Sequence, residues 1–236
     1  MTFATTLRLS LCGAAISAAL GLTACSNNAT DPAATADDSA TNDKPAKTLA
    51  ITQIVEHPSL DEMRRGIIDE LAENGYVEGQ NLKVNFQSAQ GNTATAGQIA
   101  KQFAGDNPDA IVAISTPSAQ SIVASTKTVP VIYTAISDPV AAKLIDENDV
   151  PIQTNVTGLS SELPIEPQLD NIQKIVPNVK TIGYVYSPGE ANSVVVLKQL
   201  EKAAPARGLK ILGVTANRPT DVAMATRSLA GKVEVI

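Results

Sequence analysis

The chain of 236 residues carries a single histidine, two cysteines, no tryptophan, three phenylalanines and four tyrosines. The lone His57 cannot build a zinc site without further ligands, and it makes a Ser-His-Asp arrangement only if Asp138 and a serine converge on it. The folded region has no G-x-S-x-G, Walker A, C-x-x-C, H-E-x-x-H or G-x-G-x-x-G pattern, so the common hydrolase, nucleotide, redox and metal signatures are missing. It also has no basic stripe. With a formal charge of −6, this argues against nucleic acid as a partner, because phosphate backbones select clustered Lys and Arg. No catalytic residue, cofactor or metal is expected, and the chemistry reads as binding rather than turnover.

What is present begins at the N-terminus. Residues 1–24 read as an export signal: Arg8 is the only charge, Leu9 to Leu22 form an apolar Ala-rich run, and small residues lead into Cys25. That run is short for a bilayer span, and no second long apolar run follows. Cys12 lies inside the segment expected to be removed, which leaves Cys25 without a disulfide partner. The Leu22-Thr23-Ala24-Cys25 order resembles a bacterial lipoprotein lipobox, which implies a diacylglyceryl group on Cys25 and an extracytoplasmic protein held at the cell membrane. Acyl chains at about 0.8 kcal/mol per buried methylene supply such an anchor without a transmembrane helix. Residues 25–48 are rich in Ala, Thr, Asp and Asn and poor in large apolar side chains, the composition of a flexible tether.

A hydrophobic fraction of 44% supports a folded remainder. Leu49 to Val55 suits a buried strand, and Ser59-Leu60-Asp61-Glu62 has the form of a capping box opening a helix that Asn74-Gly75 stops. Strands at Leu82 to Phe86, Ala110 to Ile114 and Val129 to Ala135 alternate with helices at Thr93 to Ala104, Ser118 to Ser125 and Asp138 to Ile145. Asn155 to Ser160 is extended. A second series follows: helix Ile165 to Ile175, strand Thr181 to Tyr186, helix Ala191 to Arg207, strand Lys210 to Thr215, helix Thr220 to Ala230 and strand Val233 to Ile236. This alternation predicts an α/β protein of two Rossmann-like lobes with parallel sheets, the first over 49–158 and a partial second over 159–236. A lobe that ends on an apolar strand with no closing helix reads as incomplete, so the chain is expected to be truncated at its C-terminus.

Ligands of such sheets bind beyond the carboxyl ends of the strands. The loop holding Ser115, Thr116, Ser118 and Gln120 offers hydroxyls and free amides at a helix N-terminus, suited to a carboxylate, although capping by Ser115 or Ser118 explains the same residues. Ser137 and Asp138 follow the next strand, where Asp138 either meets a ligand ammonium or caps its own helix. Glu190, Asn192 and Ser193 stand at the first strand end of the second lobe, placed to close over a ligand. Tyr133, Tyr184 and Tyr186 read as structural strand residues.

Five ordered segments carry a resemblance: Val55 to Asp61, Gly75 to Asn81, Ala113 to Gln120, Thr134 to Val140 and Glu190 to Ser193. They resemble the ABC-transporter substrate-binding family that includes tryptophan-type binding lipoproteins, and the resemblance runs from about Leu49 to Ile236. It implies a periplasmic-binding-protein fold with a small ligand, an amino acid of aromatic or hydrophobic type, enclosed between lobes and delivered to a membrane permease with its ATPase. First-lobe contacts would come from Ser115 to Gln120 and Ser137 to Asp138, and second-lobe contacts from Glu190 to Ser193. A ligand-sensing lipoprotein feeding a signalling partner shares these features. A hydrolase using Ser118 lacks a nucleophile elbow, and a repressor lacks its DNA-binding headpiece.

Overall fold

The computed structural model describes residues 44–236; the expected export signal, Cys25 and the tether through residue 43 lie outside them. Short runs rich in apolar and β-branched residues give β1 (Lys47–Gln53), β2 (Leu82–Ser88), β3 (Ala110–Ile114), β4 (Val131–Ile136) and β5 (Val156–Ser160). They form one sheet in the order β2-β1-β3-β4-β5, parallel throughout. The first strand begins at Lys47, inside the segment read as tether, and β5 carries the first sheet two residues past 158.

Helices α1 (Pro58–Glu73), α2 (Thr93–Asp106) and α3 (Thr116–Ser125) connect the strands. Their side chains cover both sheet faces. Ile99, Phe103, Ile122 and Val123 from α2 and α3 pack on Ile111, Ala113 and Val131, while Ile67, Ile68 and Leu71 of α1 pack on Leu49, Ile51 and Val112. Because α1 covers only part of its face, an apolar groove of about 580 Å³ remains beside it, lined by Met63, Ile67, Val112, Ile132 and Leu159 among others. Among the described residues no helix is long and apolar enough to cross a membrane.

The second sheet pairs β6 (Thr181–Tyr186) with β7 (Lys210–Thr215). Helices α4 (Ile165–Ile175), α5 (Ala191–Ala203) and α6 (Val222–Leu229) surround it, and Leu169, Ile182, Val196 and Leu200 form its core. Instead of a third full strand, Val235 makes a single parallel bridge to Ile182, and the Glu234 carboxylate accepts from Thr181 N at 2.7 Å.

Three local expectations are corrected. The Ser59 capping box does not form: His57 is the N-cap of α1, its Nδ1 accepting from Ser59 N at 3.3 Å, because Pro58 fixes the helical φ one residue earlier. Residues 139–143 form turns and Ile145 makes an antiparallel bridge to Pro151, in place of the helix expected over Asp138 to Ile145; Lys143 adopts φ 58°, a left-handed value that breaks helical continuation. The helix expected through Arg207 ends at Ala203, and a 3₁₀ turn over Pro205–Arg207 follows because Pro205 has no N–H to continue the ladder.

Candidate functional site

The carboxyl ends of both sheets turn toward one another. A cleft of about 290 Å³ lies between them, walled from the first lobe by Ile54 and Val55 after β1 and Gly91 after β2, and from the second by Tyr186 at the end of β6, Ser187, Glu190 and Ser193 beyond it and Ala216 to Pro219 beyond β7. The lobes also meet elsewhere, where α3 and α5 approach within 8 Å between Cα atoms.

On the first lobe, Ser115 leaves β3 with φ 85° and ψ 155°, a conformation that glycine occupies freely and a serine does not. This backbone turns Ser115 away from ordinary capping. It occupies the N-cap position of α3 without a side-chain cap bond, and its hydroxyl lies 3.5 Å from that of Ser118. The capping explanation for Ser115 therefore fails. Thr116 is 2% exposed, yet its Oγ1 has no hydrogen-bond partner. A buried hydroxyl left unpaired costs on the order of 1–3 kcal/mol, so Thr116 stores unused bonding capacity at the start of α3.

The other first-lobe residues serve local structure. Gln120 donates from Nε2 to Ala142 O at 3.1 Å and ties α3 to the turns after β4. Asp138 accepts from Ala141 N at 2.8 Å through Oδ1, the capping alternative, although the capped element is a turn. Ser137 is partly buried next to it, just beyond Ala135, which adopts φ 58° at the bulge in β4.

On the second lobe, Glu190 is the N-cap residue of α5, partly buried and without a side-chain cap bond. Burial pushes its carboxyl above the usual carboxylate value, and a hydrogen bond with Ser187 offsets part of that rise. Asn192 Oδ1 is buried without a partner. Ser193 Oγ accepts from Ser187 N at 2.9 Å, holding the β6–α5 loop in shape. Tyr184 and Tyr186 stack with centroids 6.3 Å apart and planes 10° from parallel; Tyr186, read from sequence as structural, also walls the cleft.

Thus Glu190 and Ser193 reach the cleft, whereas Ser115, Thr116, Ser118, Gln120, Ser137 and Asp138 lie on neighbouring first-lobe strand ends outside its wall. His57 stands exposed as a helix cap. Ile54, Gly91 and Asn217 to Pro219 escaped notice in the sequence, although the strand-end rule applies equally to the loops after β2 and β7. Gln53, wholly buried at the end of β1, also escaped notice: its Nε2 donates to Asp61 at 2.8 Å, while its Oε1 lacks a partner.

Residues 48–236 match the family described as ABC transporter substrate binding protein. A tyrosine-binding protein of Clostridioides difficile is 38% identical over 91% of this chain and 62% of its own length. A solved conserved domain protein of Vibrio cholerae is 48% identical with a TM-score of 0.77, covering 81% of this chain and 64% of that one. The structure of an ABC domain of Streptococcus pneumonia in complex with L-Trp is 34% identical with a TM-score of 0.75, over 81% of this chain and 65% of that one. The chain therefore spans a little under two thirds of the length of these relatives.

Proposed function

Since the chain belongs to the ABC transporter substrate binding protein family, we propose that it captures a free amino acid between its two lobes for an ABC importer. The observation that carries this reading is the interlobe cleft, bounded by strand-end loops of both sheets, the arrangement by which a hinged protein encloses a small molecule. Relatives named for tyrosine binding or solved with L-Trp support an aromatic or hydrophobic amino acid. The apolar wall of Ile54, Val55, Val185 and Tyr186 supports it independently.

In this reading the start of α3, which lies outside the cleft wall in this structure, receives the ligand carboxylate once the lobes close on the ligand. Ser115 and Ser118 supply hydroxyls, the unpaired Thr116 Oγ1 supplies another, and the helix N-terminus supplies partial positive charge. Glu190, Asn192 and Ser193 contact the ligand from the second lobe as it closes. Gln120, Ser137 and Asp138 frame the first-lobe side. Export through residues 1–24 and lipidation of Cys25 would hold the protein outside the cytoplasm at the membrane, within reach of a permease and its ATPase.

Calorimetric titration with a panel of free amino acids tests the ligand class: saturable binding of tyrosine, tryptophan or an aliphatic amino acid is expected, and no heat with any of them would sink it. Labelled fatty acid incorporation that disappears in Cys25→Ala tests the anchor.

A further inference from the structure

We propose that Gln53 is a positioning residue of the cleft: it holds both parts of the first-lobe wall at one spacing, and so makes the site discriminate among amino acids by side-chain size. The assignment rests on the reading of the cleft as an amino-acid site. Gln53 does not itself line the cleft. It acts through Ile54 and Val55, the wall residues that follow it.

Three observations carry the proposal. First, Gln53 stands where a strand buried on both faces calls for an apolar side chain. The positions of β1 that face α1 run Leu49, Ile51 and Gln53, and Gln53 is wholly buried. An amide is costly to withdraw from water, so the bonds it makes there identify its task. Second, Gln53 is bonded to both parts of the wall. Its Nε2 donates to Val55 O at 3.1 Å, fixing the chain as it leaves the sheet, and its main-chain O accepts from Ala89 N at 2.9 Å, two residues before Gly91. Ile54 O in turn accepts from Gly91 N at 2.6 Å. Third, the brace is anchored outside these loops. The same Nε2 donates to Asp61 Oδ1 at 2.8 Å in the first turn of α1, Arg64 Nη2 lies 3.6 Å from that oxygen, and the Arg64 guanidinium lies 4.2 Å from the centre of the Phe86 ring on β2. The Val55 carbonyl is therefore held against α1 and β2, not by its own loop alone.

A wall held in this way cannot yield to a larger side chain, or close on a smaller one, without breaking these bonds. A rigid apolar pocket separates ligands that differ by a methylene or two by roughly tenfold or more. Freed from Gln53, Ile54 and Val55 shift with the ligand and the separation falls. A buried glutamine that served only the stability of β1 would instead change the thermal midpoint and leave the spread of affinities untouched.

The test titrates L-tryptophan, L-tyrosine, L-phenylalanine and L-leucine into the native protein, Gln53→Met, Asp61→Ala and Asp61→Asn, with each thermal midpoint measured alongside. Methionine keeps the length of the side chain but donates no hydrogen bond. Across the four ligands the native affinities are expected to spread over roughly tenfold or more, and those of Gln53→Met over no more than about threefold. Asp61→Ala should narrow the spread in the same direction, whereas Asp61→Asn keeps an acceptor oxygen and should hold the native spread. Gln53→Met combined with Asp61→Ala should be no flatter than Gln53→Met alone, because both changes break one brace. A native spread retained in a folded Gln53→Met, or in Asp61→Ala where Gln53→Met does not fold, overturns the assignment and leaves the amino-acid reading in place, as does a native protein that binds all four alike. Failure of the native protein to bind any free amino acid overturns both.

Discussion

Gly91 of the first lobe lies directly against Pro219 of the second, so closely that a methyl group on Gly91 would come within 2.5 Å of Pro219 Cγ. Its backbone is also left-handed, at φ 74°. This contact sets how near the two strand-end loops come. Gly91→Ala is expected to cost about 1 kcal/mol or more from backbone strain alone and to hold the lobes apart, seen as a lower thermal midpoint and a larger radius of gyration in small-angle scattering. Adding Pro219→Ala removes the ring and should restore the radius but not the whole midpoint. An unchanged radius in the single variant would refute the contact's role.

Thr116 offers a separation of stability from binding. Its hydroxyl is buried and unpaired, so Thr116→Val keeps the shape and discards an unsatisfied group. The expected midpoint without ligand is equal or higher by up to about 1 kcal/mol equivalent, while amino-acid affinity measured by titration falls. Loss of stability would show instead that the hydroxyl has a structural partner.

Asp138 should behave in the opposite manner. Its carboxylate holds the turn through Ala141 N, so Asp138→Ala should lower the midpoint by about 1 kcal/mol equivalent, the usual cost of losing such a cap. Asp138→Asn keeps an acceptor oxygen and should recover most of it. Weakened binding with an intact midpoint in Asp138→Ala would return Asp138 to the ligand site.

Acid stability has a specific contributor at the opposite end of the first sheet. Asp109 accepts from Lys47 Nζ at 2.8 Å, Thr48 N at 2.8 Å and Thr48 Oγ1 at 2.9 Å. These bonds, that of Lys47 foremost, lower its carboxyl from 3.8 to about 2. A depressed carboxyl stabilises the fold fully above its unfolded value and stops doing so as pH falls through the folded one. The midpoint difference between the native protein and Asp109→Asn should therefore be constant at neutral pH and shrink between about pH 4 and pH 2. A difference that persists at pH 2 would show that the site acts through shape rather than charge.

Much of the fold was legible because its elements are locally determined. The limits Ala110–Ile114, Ile165–Ile175, Thr181–Tyr186 and Lys210–Thr215 follow from short apolar runs and helical spacing bounded by Pro, Gly or Asn, and the structure keeps them. Where the reading failed, a neighbour outweighed the pattern. His57 displaced Ser59 as cap because of Pro58, and the Asp138 series looked helical but closed into turns held by Asp138 itself. The site was legible only by strand-end position. That rule finds Glu190 and Ser193, but it cannot show that Gly91 and Pro219 touch, because their contact joins loops 128 residues apart in sequence and is decided by packing.

The twisted backbone at Ser115 has one more consequence. At φ 85° and ψ 155° a glycine would sit without strain, so Ser115→Gly offers a route to a firmer fold that removes one hydroxyl from the start of α3. Stability and affinity would then move in opposite directions at a single position, which makes Ser115 a place where one substitution trades the firmness of the fold against binding at the start of α3.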